Sequence, residues 1–213
     1  MDQGASLGEE FQLLREYLAR LSDQRHRRGL VHPLEGVLSL TVLGLMCGCP
    51  SLSAIYRFGD IHPQLLSRLG LRRSPSVQTL SRLLGMVSVG EVRRVLLEFV
   101  LALEQRRGHE ITTAALDGKT LRGVREDGTQ LKALCVFSRE GLAALDQVAM
   151  GNHFEEPQAA QEWIEAVASH CPGLEMLTGD ALYADTNLAQ AIVDQGKDYT
   201  FKLKKTNPDS TTT

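Results

Sequence analysis

Apolar residues recur every three to four positions through the first half of the chain, then switch to short strand-like runs separated by turn residues. From Glu9 to Leu21, the side chains of Phe11, Leu14, Tyr17, Leu18 and Leu21 fall on one helical face. A second helix begins at His32-Pro33-Leu34, where proline is tolerated in a first turn, and runs to Gly48–Pro50. Ser51 caps Leu52–Phe58 with Gly59 as its stop, Gly70 closes Pro63–Leu69, and Ser76 opens a helix to Leu84. Gly90–Gln105 carries Val92, Val95, Leu96, Phe99, Val100 and Leu103 in one stripe. The polar segment Arg106–His109 is the expected boundary between two domains, 1–108 and 109–213.

Beyond it, Ile111–Leu116, Gln130–Phe137 and Leu142–Ala149 read as strands, with Asp127-Gly128 and Glu140-Gly141 where hairpin turns are needed. Pro157–His170 reads as a helix with Ala160, Trp163, Ile164 and Val167 inward, and Leu174–Leu177 as a strand. Thr186 or Asp185 then caps the helix Asn187–Gln195, Gly196 ends it, and Tyr199–Leu203 is a last strand. Three antiparallel strands followed by helix, strand, helix and strand is the order of an RNase H-like fold. The expected class is therefore α/β: a truncated RNase H-like mixed sheet preceded by an all-α N-terminal domain.

A hydrophobic content of 43% and a charged content of 23% fit a soluble globular protein. No apolar run reaches the ~18 residues of a membrane span, and Val37–Met46 reads as a buried helix instead. The acidic opening MDQGASLGEE is not a secretory signal, so a cytoplasmic location is expected. Cys47, Cys49, Cys135 and Cys171 lack paired CxxC spacing and read as buried free thiols in a reducing compartment.

The net charge of −3 hides an asymmetry. Residues 1–108 hold 14 Arg, no Lys and 10 acids, whereas residues 109–213 hold 9 basic and 16 acidic side chains. Arginine surfaces suit phosphates and clustered carboxylates suit metal ions, although solvated helix faces give the same counts. Arg72, Arg73, Arg82, Arg93 and Arg94, set among short helices, fit either a DNA-binding bundle or a plain helical adaptor.

Asp117 and Asp180 each close a short apolar run, and the strand order above makes them neighbours in space although 63 positions separate them. Two adjacent carboxylates repel unless a cation lies between them. A pair of Mg²⁺ (or Mn²⁺) ions about 4 Å apart relieves that repulsion and supports phosphodiester chemistry. Aspartate followed by glycine is also ordinary turn chemistry. Glu155-Glu156 reads as a pair at a helix N-terminus, with a third carboxylate as the alternative. No glutamate follows Asp180, and Asp185 is better explained as a helix cap. No Walker A, GxGxxG or G-x-S-x-G motif occurs. An aspartate-nucleophile phosphatase would need a second Asp where Lys119 stands.

Asp117-Gly118-Lys119-Thr120-Leu121-Arg122-Gly123 resembles the DGKTLRG signature of the H-repeat-associated family of bacterial insertion-sequence transposases. Arg28-Gly29 through Pro33-Leu34, the apolar helix to Cys49, Ser76–Leu84, Thr178–Ala181 and Gly196–Lys204 are similar to other segments of that family. The resemblance implies a DDE-type catalytic domain with Asp117 and Asp180 as metal ligands and catalytic acids. It places Lys119, Arg122 and Lys204 near phosphates, and double-stranded DNA (transposon ends and target) as the partner, with a homo-oligomer open and no membrane. The helical half, with Arg72, Arg73 and Arg82, would bind DNA. The family's catalytic glutamate lies beyond residue 213, so the expectation is a truncated transposase with weak or no strand transfer alone. The alternative is a catalytically inactive remnant that only binds transposon-end DNA.

Overall fold

Amphipathic helices that each bury one stripe must pack on one another, and six of them fill the N-terminal half. The structure, a computed structural model, describes residues 7–25, 30–126, 128–141, 143–150, 156–167 and 169–203. The helices are α1 (Leu7–Leu18), α2 (Leu34–Met46), α3 (Leu52–Ile61), α4 (Pro63–Arg68), α5 (Val77–Met86) and α6 (Val89–Arg106). The chain divides into two compact units, Met1–Phe99 and Val100–Thr213. The division falls inside α6, upstream of the polar segment at Arg106–His109.

In the first unit, α2 is the hub. Val37 and Leu40 pack with Ile55 of α3, Leu66 of α4 and Leu80 and Leu83 of α5, while Leu34 and Leu38 pack with Leu14 and Leu18 of α1 and Val95 of α6. Ser51 and Ser76 cap α3 and α5 as their sequence positions suggest, each accepting a hydrogen bond from the backbone N–H three residues on. Gly59, in contrast, does not stop α3, which continues to Ile61. A Cβ at Gly59 would stand 2.6 Å from Oγ of Ser74, whose hydroxyl donates to the Tyr56 carbonyl, so glycine serves a close approach rather than a helix end. No helix among the described residues is long and apolar enough to cross a membrane.

His32 is buried beside this core with its Nδ1 unpartnered. Burial first, then the Arg73 and Arg25 guanidiniums, hold its imidazole below the usual range. The unfolded chain therefore takes up a proton near pH ~6.5 that the folded chain refuses, and stability is lost as pH falls below that point. Denaturant midpoints are expected to drop from pH 7.5 to pH 5.5, and to drop less in His32→Gln. The lowered carboxyls of Asp23 and Glu140 act in a more acidic window and do not confuse the comparison.

The second unit is a five-stranded mixed sheet of β1 (Thr113–Glu126), β2 (Thr129–Ser138), β3 (Ala144–Met150), β4 (Met176–Gly179) and β5 (Asp198–Phe201) in the order β3-β2-β1-β4-β5. β1, β2 and β3 pair antiparallel, and β4 and β5 continue the sheet parallel to β1. This is the RNase H-like order expected. Helices α7 (Glu156–Val167) and α8 (Thr186–Asp194) pack on each other and on the sheet, α7 against β2 and β3 and α8 against β5. Trp163, Ile164, Leu134, Val136, Leu177, Leu188 and Ile192 are fully buried in this unit. Trp163 also donates its indole N–H to Asp146 Oδ2 at 3.1 Å.

Three expectations are corrected here. β1 does not end at Leu116 but runs to Glu126, because its second half keeps its pairing with β2 after β4 has stopped. β4 begins two residues later than the apolar run suggested, since Leu174 turns inward as a core residue before the ladder starts. All four thiols are free, yet only Cys135 and Cys171 are buried, while Cys47 is exposed and Cys49 half-buried at the end of α2. Burial pushes the Cys171 thiol up to about 11, so that group stays protonated and inert.

A candidate metal edge at Asp117 and Asp180

Alternation along β1 sends Leu116 and Gly118 to one face and Asp117 and Lys119 to the other. The first face is the one the helices cover. Asp117 therefore comes from within a long strand, and what ends beside it is β4. The ladder between β1 and β4 pairs Thr113 with Met176, Ala114 with Leu177 and Ala115 with Thr178. Extended by two positions, that register sets Asp117 opposite Asp180, on strands about 4.8 Å apart. Asp180 still has extended backbone (φ −79°, ψ −171°) and so keeps the face of Thr178. The chain then enters a short 3₁₀ turn, Ala181–Tyr183, whose Leu182 N–H donates to Asp180 Oδ1 at 2.8 Å.

Asp117 is half exposed and ion-paired with Lys119, two positions along the same strand face. The hydrogen bond to Asp117 is the chief reason the Lys119 ammonium holds its proton above the usual lysine range. The ammonium thus sits where a metal cation would compete for Asp117. Asp185, as expected, is a cap: its Oδ1 accepts from the N–H groups of Asn187 (2.9 Å) and Leu188 (3.0 Å) at the start of α8.

Two features of this edge were not visible as pattern. A Cβ at Gly118 would collide with the Glu156 carboxylate, which comes up from the first turn of α7. A Cβ at Gly179 would stand 2.7 Å from Cδ2 of Tyr183, whose ring lies under the end of β4. The Tyr183 hydroxyl is buried with no hydrogen-bond partner; it lies beside the Glu156 carboxylate but outside bonding geometry. Burial first, then the carboxylates of Glu156, Asp117 and Asp180, raise that phenol well above its usual range. The sequence signals were the glycines at 118 and 179 and the Glu155-Glu156 pair, which reads as a helix N-terminus with a third carboxylate as the alternative.

Of the other residues singled out, Arg72 and Arg73 are exposed between α4 and α5, and Arg82 is exposed on α5. Arg122 lies in β1 of the second unit, and Lys204, His153 and Glu155 fall outside the described residues.

Residues 15–100 match the DDE_Tnp_1-associated family. Two proteins of Escherichia coli (strain K12) resemble nearly the whole chain. YbfL is 25% identical over 200 residues, covering 92% of this chain and 52% of that protein. YhhI, whose name assigns it to the H repeat-associated transposases, is 24% identical over 202 residues with the same coverage of 92% and 52%. The chain is similar to this transposase family. It spans about half the length of these two relatives, 52% of each. Among solved structures, a piggyBac transposase synaptic complex with hairpin DNA is similar at 10% identity and a TM-score of 0.38, covering 94% of this chain and 51% of that one. The Mos1 mariner paired-end complex with Mn is similar at 10% identity and a TM-score of 0.30, covering 93% and 68%.

Whether a divalent ion suits this edge is a question for its own side chains. The donors are carboxylate oxygens, which suit a hard ion such as Mg²⁺ or Mn²⁺. Their shared register is right for one ion between two strands, and a buried hydroxyl without a partner lies next to them. Among the described residues, no three acidic, histidine or cysteine groups stand close enough to hold an ion as they are placed. The edge matches such an ion in donor type and register, with two carboxylates at neighbouring strand positions.

Proposed function

We propose that this chain acts in DNA transposition, residues 1–108 binding duplex DNA and residues 109–213 presenting Asp117 and Asp180 as ligands for Mg²⁺ or Mn²⁺. The observation that carries the proposal is the shared register of the two aspartates at the end of β4. When bound, such an ion supplies Lewis-acid stabilisation of charge on a phosphodiester and lowers the pKa of a bound water. Asp117 and Asp180 would hold and orient it, and Lys119, displaced from Asp117, would then face a phosphate. The family resemblance gives Arg122 and Lys204 a role in contacting phosphates as well.

The helical half supports the DNA part through which arginines are occupied. Arg15 pairs with Glu35 at 2.6 Å, Arg94 with Glu98 at 2.7 Å, and Arg25 with Asp23 at 2.6 Å. Arg57, Arg68, Arg72, Arg73 and Arg82, all exposed on or between α3, α4 and α5, make no ion pair among the described residues. An exposed arginine without an acid keeps its full charge for phosphates. We therefore assign DNA contact to the α3–α5 side. Duplex affinity of the full chain is expected to fall steeply with salt, and replacing Arg72, Arg73 and Arg82 together by Gln should lower the log–log salt slope by about 2–3. A salt-insensitive affinity, or a slope the triple variant leaves unchanged, would remove this assignment.

The rival is a chain that binds DNA without cutting it. It is favoured by the lack, among the described residues, of three ligating groups close enough to share an ion. Nicking of supercoiled plasmid with Mn²⁺, abolished by EDTA, separates the two readings.

A further inference from the structure

The first turn of α2 and the loop between α4 and α5 are built against each other. Glycine at 36 allows it, because a Cβ there would stand 2.3 Å from the Leu69 carbonyl oxygen. Leu69 and Leu71 pack into the core with Val37 and Leu40 of α2, and the loop then turns outward through Arg72 and Arg73, both exposed. His32, two residues before α2, is 6% exposed, and its Nδ1 has no partner. Among the described residues, the charges that act on this ring are the Arg73 and Arg25 guanidiniums, both positive. Arg25 donates to the His32 carbonyl at 2.9 Å and is paired with Asp23 at 2.6 Å. Glu35, in the first turn of α2, is taken by Arg15 at 2.6 Å. Neither acid is left for the imidazole. A buried ring with an unpartnered nitrogen thus stands between two cations, and one of them, Arg73, is exposed and makes no ion pair among the described residues.

We propose that Arg73 holds a phosphodiester group of duplex DNA beside His32, and that the imidazole takes up a proton from solvent, at Nδ1, as that phosphate binds. This rests on the DNA-binding reading above and adds a proton to it. A phosphate on Arg73 cancels one of the two cations that keep the ring neutral, and an anion nearby favours the imidazolium. Arg25 stays on Asp23 and the ring stays buried, so its titration moves back toward the usual histidine range rather than past it. By linkage the exchange is reciprocal: a protonated His32 makes the chain hold the phosphate more tightly. The simpler role, a side chain that fills space beside the core, accounts for the burial of His32. It accounts for neither the unpartnered nitrogen nor the cations facing it.

The test is the duplex affinity of the full chain at constant salt, measured by fluorescence anisotropy at pH 7.5 and pH 5.5 for wild type and His32→Gln. Circular dichroism checks that both are folded at each pH. Wild-type affinity is expected to rise at least about threefold at the lower pH, and the rise in His32→Gln to be smaller by that factor. A second measurement needs no variant: NMR titration of the wild-type His32 ring should show it protonating at a higher pH with duplex bound. An equal rise in both proteins, or a ring whose titration the duplex leaves in place, would overturn the proton link and leave DNA binding standing. Inorganic phosphate alone, at the same ionic strength, should leave the ring where it is. If it moves the ring as the duplex does, the site takes free phosphate and the assignment of Arg73 to DNA is overturned. A wild-type chain without salt-sensitive duplex affinity would overturn both readings.

Discussion

Replacing Trp163 with alanine is expected to cost the second unit about 3–5 kcal/mol, a large share of the roughly 5–15 kcal/mol that holds a domain folded. Trp163 is 2% exposed on the face of α7 that packs against β2 and β3. Truncation removes the largest buried side chain of the unit and the 3.1 Å hydrogen bond to Asp146. Ala159 and Ala160, four and three residues earlier on α7, are too short to fill the space. Guanidinium titration followed by circular dichroism should show an early transition in Trp163→Ala. A single transition at the wild-type midpoint would mean that α7 does not anchor the sheet. Trp163→Phe, which keeps an aromatic ring but no N–H, should fall between the two.

Asp117→Asn is the substitution with the largest expected effect on function. It keeps the shape of the side chain and removes the charge, so the fold should survive. A neutral amide gives a hard cation one weak carbonyl oxygen in place of a carboxylate. Mn²⁺ affinity should fall about a hundredfold or more, beyond the 10–100-fold typical of groups that only support a ligand. Lys119 makes the prediction sharper. Its ammonium is already seated on Asp117, so the ion must displace it. Lys119→Met should therefore strengthen Mn²⁺ binding, in the opposite direction to Asp117→Asn. Were Lys119 a metal-independent structural partner, both changes would lower melting temperature and neither would alter ion affinity.

How much of this could be read in advance depends on the kind of signal. The helices of the first unit were legible because their stripes repeat at helical spacing and because Ser51 and Ser76 do what capping chemistry requires. The strand order was legible from the alternation of runs, turns and helices. The length of β1 was not: past Leu116 its residues are polar, and only the partner strand β2 keeps them extended. Gly59 was misread for a related reason, since a glycine that ends a helix and one that admits a neighbouring side chain look the same in a sequence. Asp117 and Asp180 stood out as a pair through their sequence context and the apolar run before each, although only Asp180 follows the end of a strand. Glu156 was visible only as one of two open readings, because what singles it out is contact with a residue 38 positions earlier that has no side chain. Tyr183 gave no signal in the sequence, as an unpartnered hydroxyl is a property of packing alone.

The central claim is that Asp117 and Asp180 together hold a divalent cation. The most direct measurement is anomalous scattering from a crystal of the full chain soaked in MnCl₂. The account predicts one or two manganese peaks at the end of β4, within ligand distance of both aspartate carboxylates, with the Lys119 ammonium moved away. Strong manganese peaks elsewhere, with Lys119 still on Asp117 and nothing between the two aspartates, would contradict it.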